Sequence, residues 1–335
     1  MSVEKPVSKV HIEAAAALPE TKAQWGKWLK RAGFIALGAA CSFTLVVSAA
    51  SVPLSNLLVR PRLKRLLHLR RPHLRNFLGR LGIKFEEVII TSFDGLKLHG
   101  WWLESSAEAP TVVVVHGVKK NRTDVLRASI TLRLAGFNVL VYDGRGHGNS
   151  EGRYITYGFH ERRDLESVLE WVVSEKQIDR SRIGLAGESM GAAIILQVAA
   201  QNPWIGAVWA DSPFASLRRV TREYVSRYTR LPDSVLTTVL GPAFQVANYR
   251  GKFNIDEVDP LRLAAQIKSP VYLVHGTADQ MIPVAHSQVI HDALGCKKDL
   301  WIVEGARHAK SVKHKPSKQE YAIRLISFFR EHLGQ

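Results

Sequence analysis

The sequence is poor in the residues that build disulfide frameworks and metal sites. Its 335 residues include only 2 cysteines, Cys41 and Cys296, which excludes the disulfide framework of a small secreted protein. Such low cysteine usage is typical of a reducing compartment. No His, Cys, Asp or Glu spacing matches a metal site, and the chain has neither a phosphate loop nor a dinucleotide fingerprint. We therefore expect no metal and no cofactor.

Acidic residues are scarce in the N-terminal quarter alone. Residues 1–80 carry 14 Lys or Arg against 3 Asp or Glu, which is a net charge of +11 out of +16 for the whole chain. Residues 81–335 carry 32 against 27, a nearly balanced composition. Because the basic excess is concentrated outside the larger part of the chain, it does not predict a nucleic-acid-binding protein.

Residues 32–59 contain no charged side chain at all. A run of this length is sufficient to cross a bilayer, which needs about 20 apolar residues. It predicts an uncleaved single-pass membrane helix, preceded by a tail over residues 1–31. The alternative is a signal peptide cleaved near Ser51. Basic residues are more numerous after the run than before it, which predicts a membrane protein with its large domain in the cytoplasm.

Residues 60–83 mix leucine with arginine on both sides of Pro72. Leucines at helical spacing among basic residues are typical of a juxtamembrane segment that lies on anionic lipid headgroups. The alternative is a linker helix whose leucines pack on the following domain. Both interpretations place the start of the large domain at residue 84, so that it covers residues 84–335.

The large domain alternates strand-like and helix-like segments. Short apolar runs of strand length begin at Thr111, Asn138, Arg182, Ala207 and Pro270, and helix-like segments separate them. Continuous apolar runs are typical of parallel strands that helices cover on both faces. The alternation predicts an α/β protein with a mostly parallel, doubly wound sheet.

One serine stands between two glycines at a predicted strand-to-helix junction, in the segment Gly187-Glu188-Ser189-Met190-Gly191. The pattern G-x-S-x-G at such a junction is a nucleophile elbow, in which a sharp turn exposes the serine hydroxyl. The turns that follow parallel strands form the active edge of such a sheet. Ser189 is therefore the predicted nucleophile, with Gly187 and Gly191 as the elbow glycines.

A serine nucleophile needs a histidine base and a carboxylate that orients it, in the chain order Ser, acid, His for this type of sheet. Asp279 follows the apolar run that begins at Pro270, and His308 follows the next apolar run. Both would reach the same sheet edge as Ser189. Asp211 also follows an apolar run and is the rival for the acid.

The tetrahedral intermediate of acyl transfer needs two N–H donors, one from the residue after the nucleophile and one from an earlier strand-end loop. Met190 follows Ser189, and Val118 lies in the loop after the run at Thr111. These two residues are the predicted oxyanion hole. Gly117 would allow the backbone to approach a substrate closely.

Five segments in order, HGVKKN, YDGRGHGNSEG, GESMGA, HGTADQMIP and GARH, resemble successive signatures of the α/β-hydrolase superfamily. The resemblance covers about residues 85–333 and is strongest to the serine esterase, lipase and aminopeptidase-like branch. It implies an α/β-hydrolase fold with a short helical lid over about residues 214–262. Six lid residues are candidates to line the pocket: Val220, Tyr224, Val235, Val239, Leu240 and Phe244.

The resemblance implies a serine hydrolase of carboxylic esters, including lipid-derived ones, that works through an acyl-enzyme. Ser189, Asp279 and His308 match the family nucleophile, acid and base by position, and Val118 and Met190 match the oxyanion positions. Two alternatives stay open: a serine peptidase or amidase of the same fold, and a non-catalytic binding protein. The expected partners are a small-molecule or lipid ester and a membrane, with no nucleic acid.

Overall fold

The computed structural model describes residues 22–60 and 71–334. Most of the predicted tail, residues 1–21, and the first half of the predicted basic segment, residues 61–70, lie outside the described residues. The chain divides into two compact units between Ala49 and Ala50, and the second unit contains the sheet and every predicted site residue.

The second unit is built on an eight-stranded open sheet. Its strands are β1 (Glu86–Thr91), β2 (Lys97–Leu103), β3 (Thr111–Val115), β4 (Asn138–Tyr142), β5 (Ile183–Glu188), β6 (Ala207–Asp211), β7 (Val271–Gly276) and β8 (Lys298–Val303). The order across the sheet is β1-β2-β4-β3-β5-β6-β7-β8. The strand β2 is antiparallel to both of its neighbours, and β4, β3 and β5 to β8 are parallel.

Ten α-helices accompany these strands among the described residues. They are α1 (Lys22–Val59), α2 (Arg71–Arg80), α3 (Leu126–Leu134), α4 (His160–Lys176), α5 (Met190–Gln201), α6 (Leu217–Thr229), α7 (Asp233–Gly251), α8 (Pro260–Leu263), α9 (Ala285–Ala293) and α10 (Lys318–Leu333).

Both faces of the sheet are covered, as β3 illustrates. Successive side chains of a strand point to opposite faces, so Val113 and Val115 pack in one cluster while Val112 and Val114 pack in the other. The first cluster includes residues of α4, α5 and α9, and the second includes residues of α3 and α10. All five residues of β3 are buried. The predicted doubly wound α/β-hydrolase fold is confirmed.

The helical insertion lies between β6 and β7 and consists mainly of α6 and α7. Its apolar residues form a third cluster, which includes Leu217, Leu240 and Phe244. Val59, the last residue of α1, is fully buried in the same cluster. The end of α1 is therefore part of the structure that surrounds the insertion.

The prediction of a membrane span over residues 32–59 is wrong. Within the described residues, no helix is long and apolar enough to cross a membrane. The run lacks charge, but its final part, from Ala50 onward, belongs to the unit that contains the sheet. Ser51 and Ser55 are buried there, and the Ile155 N–H donates to the Val59 carbonyl at 3.0 Å. The predicted single-pass localisation, with a cytoplasmic catalytic domain, depended on this span and is therefore not supported.

Candidate active site

Ser189 is held in a strained turn between β5 and α5. Its backbone has φ 56° and ψ −116°, a conformation that non-glycine residues rarely adopt. Such strain persists only where the surrounding structure enforces it, and it concentrates at functional sites. The Ser189 N–H donates to the Asp211 carbonyl at 2.8 Å, which ties the turn to the end of β6.

The two flanking glycines are required by the closeness of the neighbouring backbone. A Cβ at Gly187 would lie 2.6 Å from the carbonyl carbon of Gly191. A Cβ at Gly191 would lie 2.2 Å from the carbonyl oxygen of Val115, at the end of β3. Neither backbone can move aside, because both belong to the packed strand and helix. Only glycine at both positions allows the turn that presents Ser189.

The structure brings Ser189, His308 and Asp279 together in one hydrogen-bonded chain. His308 Nε2 lies 2.8 Å from Ser189 Oγ, and His308 Nδ1 lies 2.7 Å from Asp279 Oδ2. The three residues follow β5, β8 and β7, three strands whose carboxyl ends meet at the same sheet edge. A histidine placed in this way can take the serine proton through Nε2 while the carboxylate orients Nδ1.

Asp279 is buried but remains ionised. Its Oδ1 accepts hydrogen bonds from the N–H groups of Met281 and Ile282 at 2.8 and 2.9 Å. Burial acts to raise the pKa of Asp279, but hydrogen bonds from His275 and His308 outweigh it and hold the pKa well below the ordinary value. His275 Nε2 lies 3.3 Å from Asp279 Oδ2. Sequence reasoning missed this second histidine, four residues before the aspartate.

The rival carboxylate, Asp211, lies at the end of β6 and is fully buried. Its Oδ1 accepts a hydrogen bond from the Ser212 hydroxyl at 2.8 Å, and no hydrogen bond joins it to His308 among the described residues. Burial raises the pKa of Asp211 to about 6. The described geometry thus gives the imidazole of His308 one carboxylate partner, Asp279.

Val118 and Met190 both line the cavity at Ser189. Met190 is the first residue of α5, where the N–H groups of a helix have no partner within the helix and favour an anion. Neither of the two N–H groups donates a hydrogen bond to a described residue. They are therefore open to a substrate oxygen.

Two buried histidines support the loop that carries Val118. His116 Nδ1 donates to the Gly117 carbonyl at 2.8 Å, and His147 Nε2 accepts the Lys119 N–H at 3.3 Å. Burial lowers the pKa of each histidine to about 4, so both rings are neutral and each keeps one acceptor nitrogen. Sequence reasoning missed both, although the HG and GHG motifs contain them.

An apolar cavity of about 490 Å³ opens at Ser189. Four of the six predicted lid residues line it, and two, Val235 and Val239, do not: the lining includes Val220, Tyr224, Leu240 and Phe244. Residues from the end of α1 form another part of the wall, and sequence reasoning missed them: Leu54, Ser55, Leu57 and Leu58. Across the described residues, no three metal-ligating side chains converge.

Comparison with known proteins identifies the family. The family model of the prolyl oligopeptidase family matches residues 125–335, which is more than half of the chain and includes Ser189, Asp279 and His308. The chain belongs to the prolyl oligopeptidase family. This family member is 32% identical over 238 residues to the uncharacterized protein YqkD of Bacillus subtilis. That similarity covers 68% of the chain and 75% of the relative.

Solved structures show the same fold. The family member resembles the Pyrococcus furiosus esterase Pf2001 with a TM-score of 0.63 and 27% identity, over 77% of this chain and 94% of the esterase. It also resembles the acylaminoacyl peptidase of Pyrococcus horikoshii with a TM-score of 0.59 and 20% identity, over 77% of this chain and 44% of the peptidase. The second likeness shows the fold alone. Together, the family and the esterase support a hydrolase of the α/β-hydrolase fold.

Proposed function

We propose that this hydrolase cleaves carboxylic esters, with Ser189 as nucleophile, His308 as base and Asp279 as the acid that orients it. The observation that carries the proposal is the continuous hydrogen-bonded chain from Ser189 Oγ through His308 to Asp279. Ser189, at one end of this chain, has a strained backbone conformation and lines an apolar cavity. Structural roles alone do not require a serine in an unfavourable backbone conformation.

The reaction follows from the geometry. His308 Nε2 takes the proton of Ser189 Oγ as the oxygen attacks the ester carbonyl carbon. The N–H groups of Val118 and Met190 stabilise the negative charge that develops on the carbonyl oxygen. His308 then gives its proton to the departing alcohol, which leaves an acyl-Ser189 ester. Water, deprotonated by His308, attacks this ester and releases the carboxylic acid and Ser189.

Esters are the first candidate substrates because the chain resembles an esterase at 27% identity. Amides are the second candidate, since the chain belongs to a family named after a peptidase and shares its fold with an acylaminoacyl peptidase. The same three residues perform either reaction. Initial rates on 4-nitrophenyl butyrate and on butyryl-4-nitroanilide separate the two, because only the leaving group differs.

The nucleophile is tested with a fluorophosphonate probe. We expect the probe to label Ser189 in the intact protein, and Ser189→Ala to remove both labelling and ester turnover. Residual activity should stay near the level that oxyanion donors and binding alone provide, about 10³–10⁴-fold over water. Ser167→Ala is the matched control, since Ser167 lies on α4 and only donates to the Arg163 carbonyl. A folded wild-type protein that the probe does not label would refute the proposal.

A further inference from the structure

Four lysines line the active-site cavity: Lys119, Lys120, Lys310 and Lys313. They come from two loops that also carry the proposed catalytic groups. Lys119 and Lys120 follow Val118, and Lys310 and Lys313 follow His308. The sequence separates these loops by almost 200 residues, so only the fold brings the four charges to one site.

The acidic residues of the cavity do not balance these lysines. Only Asp124 and Glu188 line it, and Asp124 lies 3.1 Å from Lys120 Nζ. Burial, reinforced by the carboxylate of Asp211, raises the pKa of Glu188 to about 8, so that Glu188 is mostly uncharged at neutral pH. Among the described residues, no carboxylate lies within salt-bridge distance of the other three lysines. The lysine cluster therefore has an excess of positive charge.

The lysines are close enough to repel one another. Burial lowers the pKa of Lys310, and the charges of Lys120 and Lys313 lower it further. An excess of positive charge at one site is destabilising for the free protein and favours an anionic ligand. The cluster faces the same cavity as Ser189, so such a ligand would lie beside the reacting serine.

The lysines enter the lining of the cavity from two loops only, which also contribute Val118 and Ala309. Most of the other apolar side chains come from elements without a lining lysine, chiefly the end of α1, α6 and α7. An acyl chain suits the apolar part. Lys310 and Lys313 follow His308 in the chain and line the cavity with it, so an anionic group on the departing alcohol, which His308 would protonate, can lie near their charge.

We propose that the substrate is an ester of an apolar acyl chain with an alcohol that carries an anionic group, which the lysine cluster binds. This inference rests on the proposed function and specifies its substrate class. Carboxylate and phosphate share the required chemistry, and the probes below distinguish them.

The test compares neutral and anionic esters of the same acyl chain. The carboxylate pair is 4-nitrophenyl octanoate and 3-octanoyloxy-4-nitrobenzoate, and the phosphate pair is 1-decanoylglycerol and 1-decanoylglycerol 3-phosphate, all used below micelle-forming concentrations. We expect the wild-type ratio of kcat/KM, anionic over neutral, to fall at least about tenfold in the triple variant K119Q/K310Q/K313Q, because the variant removes three positive charges that attract only the anionic substrate. The wild-type ratio should also fall as salt is raised, because ions screen exposed charges.

Lys268→Gln is the matched control, because Lys268 is exposed and does not line the cavity. It should leave both ratios unchanged. A fall in the phosphate pair alone assigns the site to phosphate, and a fall in the carboxylate pair alone assigns it to carboxylate. Equal loss of neutral and anionic turnover, or unchanged ratios in the triple variant, would overturn the proposal.

A binding measurement separates this proposal from failure of the catalytic one. Ser189→Ala cannot turn over ester, yet its lysine cluster is intact. We expect calorimetric binding of decyl phosphate to this variant to weaken at least tenfold when the three lysines are also replaced by glutamine. Unchanged binding would contradict the lysine site even if ester hydrolysis is established. Weakened binding together with an absence of any ester turnover would instead contradict the catalytic proposal alone.

Discussion

At the residue scale, the site depends on backbone space as much as on side-chain chemistry. The strained Ser189 turn exists because Val115, Gly187 and Gly191 approach within distances that leave no room for a Cβ. A single added methyl group is therefore a sharp probe of the site, since it changes neither charge nor hydrogen-bonding capacity.

We predict that Gly191→Ala abolishes ester turnover and destabilises the protein. The new Cβ would lie 2.2 Å from the Val115 carbonyl oxygen, so β3 or the start of α5 must shift. Urea unfolding and kcat/KM on 4-nitrophenyl butyrate measure the two effects. Gly79→Ala, on α2, is the control: beyond the neighbouring backbone nothing lies within 4 Å of its added Cβ, so it should keep activity and stabilise the protein by up to about 0.5–1 kcal/mol. Equal behaviour of the two variants would refute the steric argument.

A second prediction at this scale separates the two carboxylates. Asp279→Asn should lower kcat by about 10⁴, because the amide no longer holds His308 in the tautomer that accepts the serine proton. Asp211→Asn should have a much smaller effect, since Asp211 makes no described hydrogen bond to His308. Steady-state kinetics on one ester, with circular dichroism to verify folding, measures both. A larger loss in Asp211→Asn would transfer the role of acid to Asp211.

At the scale of elements, the end of α1 acts as a wall of the active site rather than as a linker. Leu54 and Leu58 line the cavity, and the Tyr157 hydroxyl donates to the Leu58 carbonyl at 3.0 Å. Arg250 of α7 donates to the Ser55 hydroxyl at 3.2 Å. These bonds connect the segment to the domain body and to the insertion, so the apolar cavity is completed by residues that precede the sheet.

We predict that L54A/L58A lowers kcat/KM for 4-nitrophenyl octanoate by about tenfold and leaves 4-nitrophenyl acetate nearly unchanged. The double variant removes apolar contacts for a long acyl chain, each buried methylene contributing about 0.8 kcal/mol, while an acetyl group does not reach that wall. The measurement is a chain-length series from acetate to decanoate. Val52→Ala is the control, because Val52 is exposed on the same helix and does not line the cavity. An equal loss on acetate would indicate a general structural effect instead.

At the scale of the whole molecule, ionisable groups inside the fold make the stability of the protein depend on pH. Arg145, in the loop after β4, donates to both carboxylate oxygens of Asp164 on α4 at 2.6 Å and also reaches Asp94 before β2. In that network the guanidinium of Arg145 pairs with both carboxylates. Glu188, by contrast, lies beside Asp211 with a pKa raised to about 8 by burial and by that neighbour. The folded state thus keeps a proton that the unfolded chain releases near pH 4.5.

We predict that Glu188→Gln stabilises the protein more as pH rises from about 4.5 to about 8. In this window the unfolded wild-type chain loses the proton of Glu188 while the folded protein retains it, so the contribution of Glu188 to the free energy of unfolding falls as pH rises. Glutamine has no such proton. Urea unfolding at pH 5, 6.5 and 8 measures the difference, with exposed Glu108→Gln as control. A difference that does not change with pH would show that Glu188 has an ordinary pKa.

The sequence by itself determined the sheet and the positions that follow its strands. The runs at Thr111, Asn138, Arg182, Ala207 and Pro270 became β3 to β7, since a strand buried on both faces must be apolar throughout. Chain order and position after a strand selected Ser189, Asp279 and His308, which the structure joins by hydrogen bonds. Their catalytic roles, and those of Val118 and Met190, stay predictions for the experiments above.

Only the tertiary structure decided what surrounds these residues. His116 and His147 lie in recognisable motifs, but their hydrogen-bond partners 28 residues away along the chain come from another loop and are visible only in the folded structure. The absence of charge in residues 32–59 suggested a membrane helix. In the structure Val59 is instead buried against the insertion, and this contact depends on packing that local composition does not encode. Likewise, the lysine cluster assembles from two loops at one sheet edge. The local sequence pattern determines which face of a helix or strand is apolar, whereas long-range contacts determine which residues pack against that face.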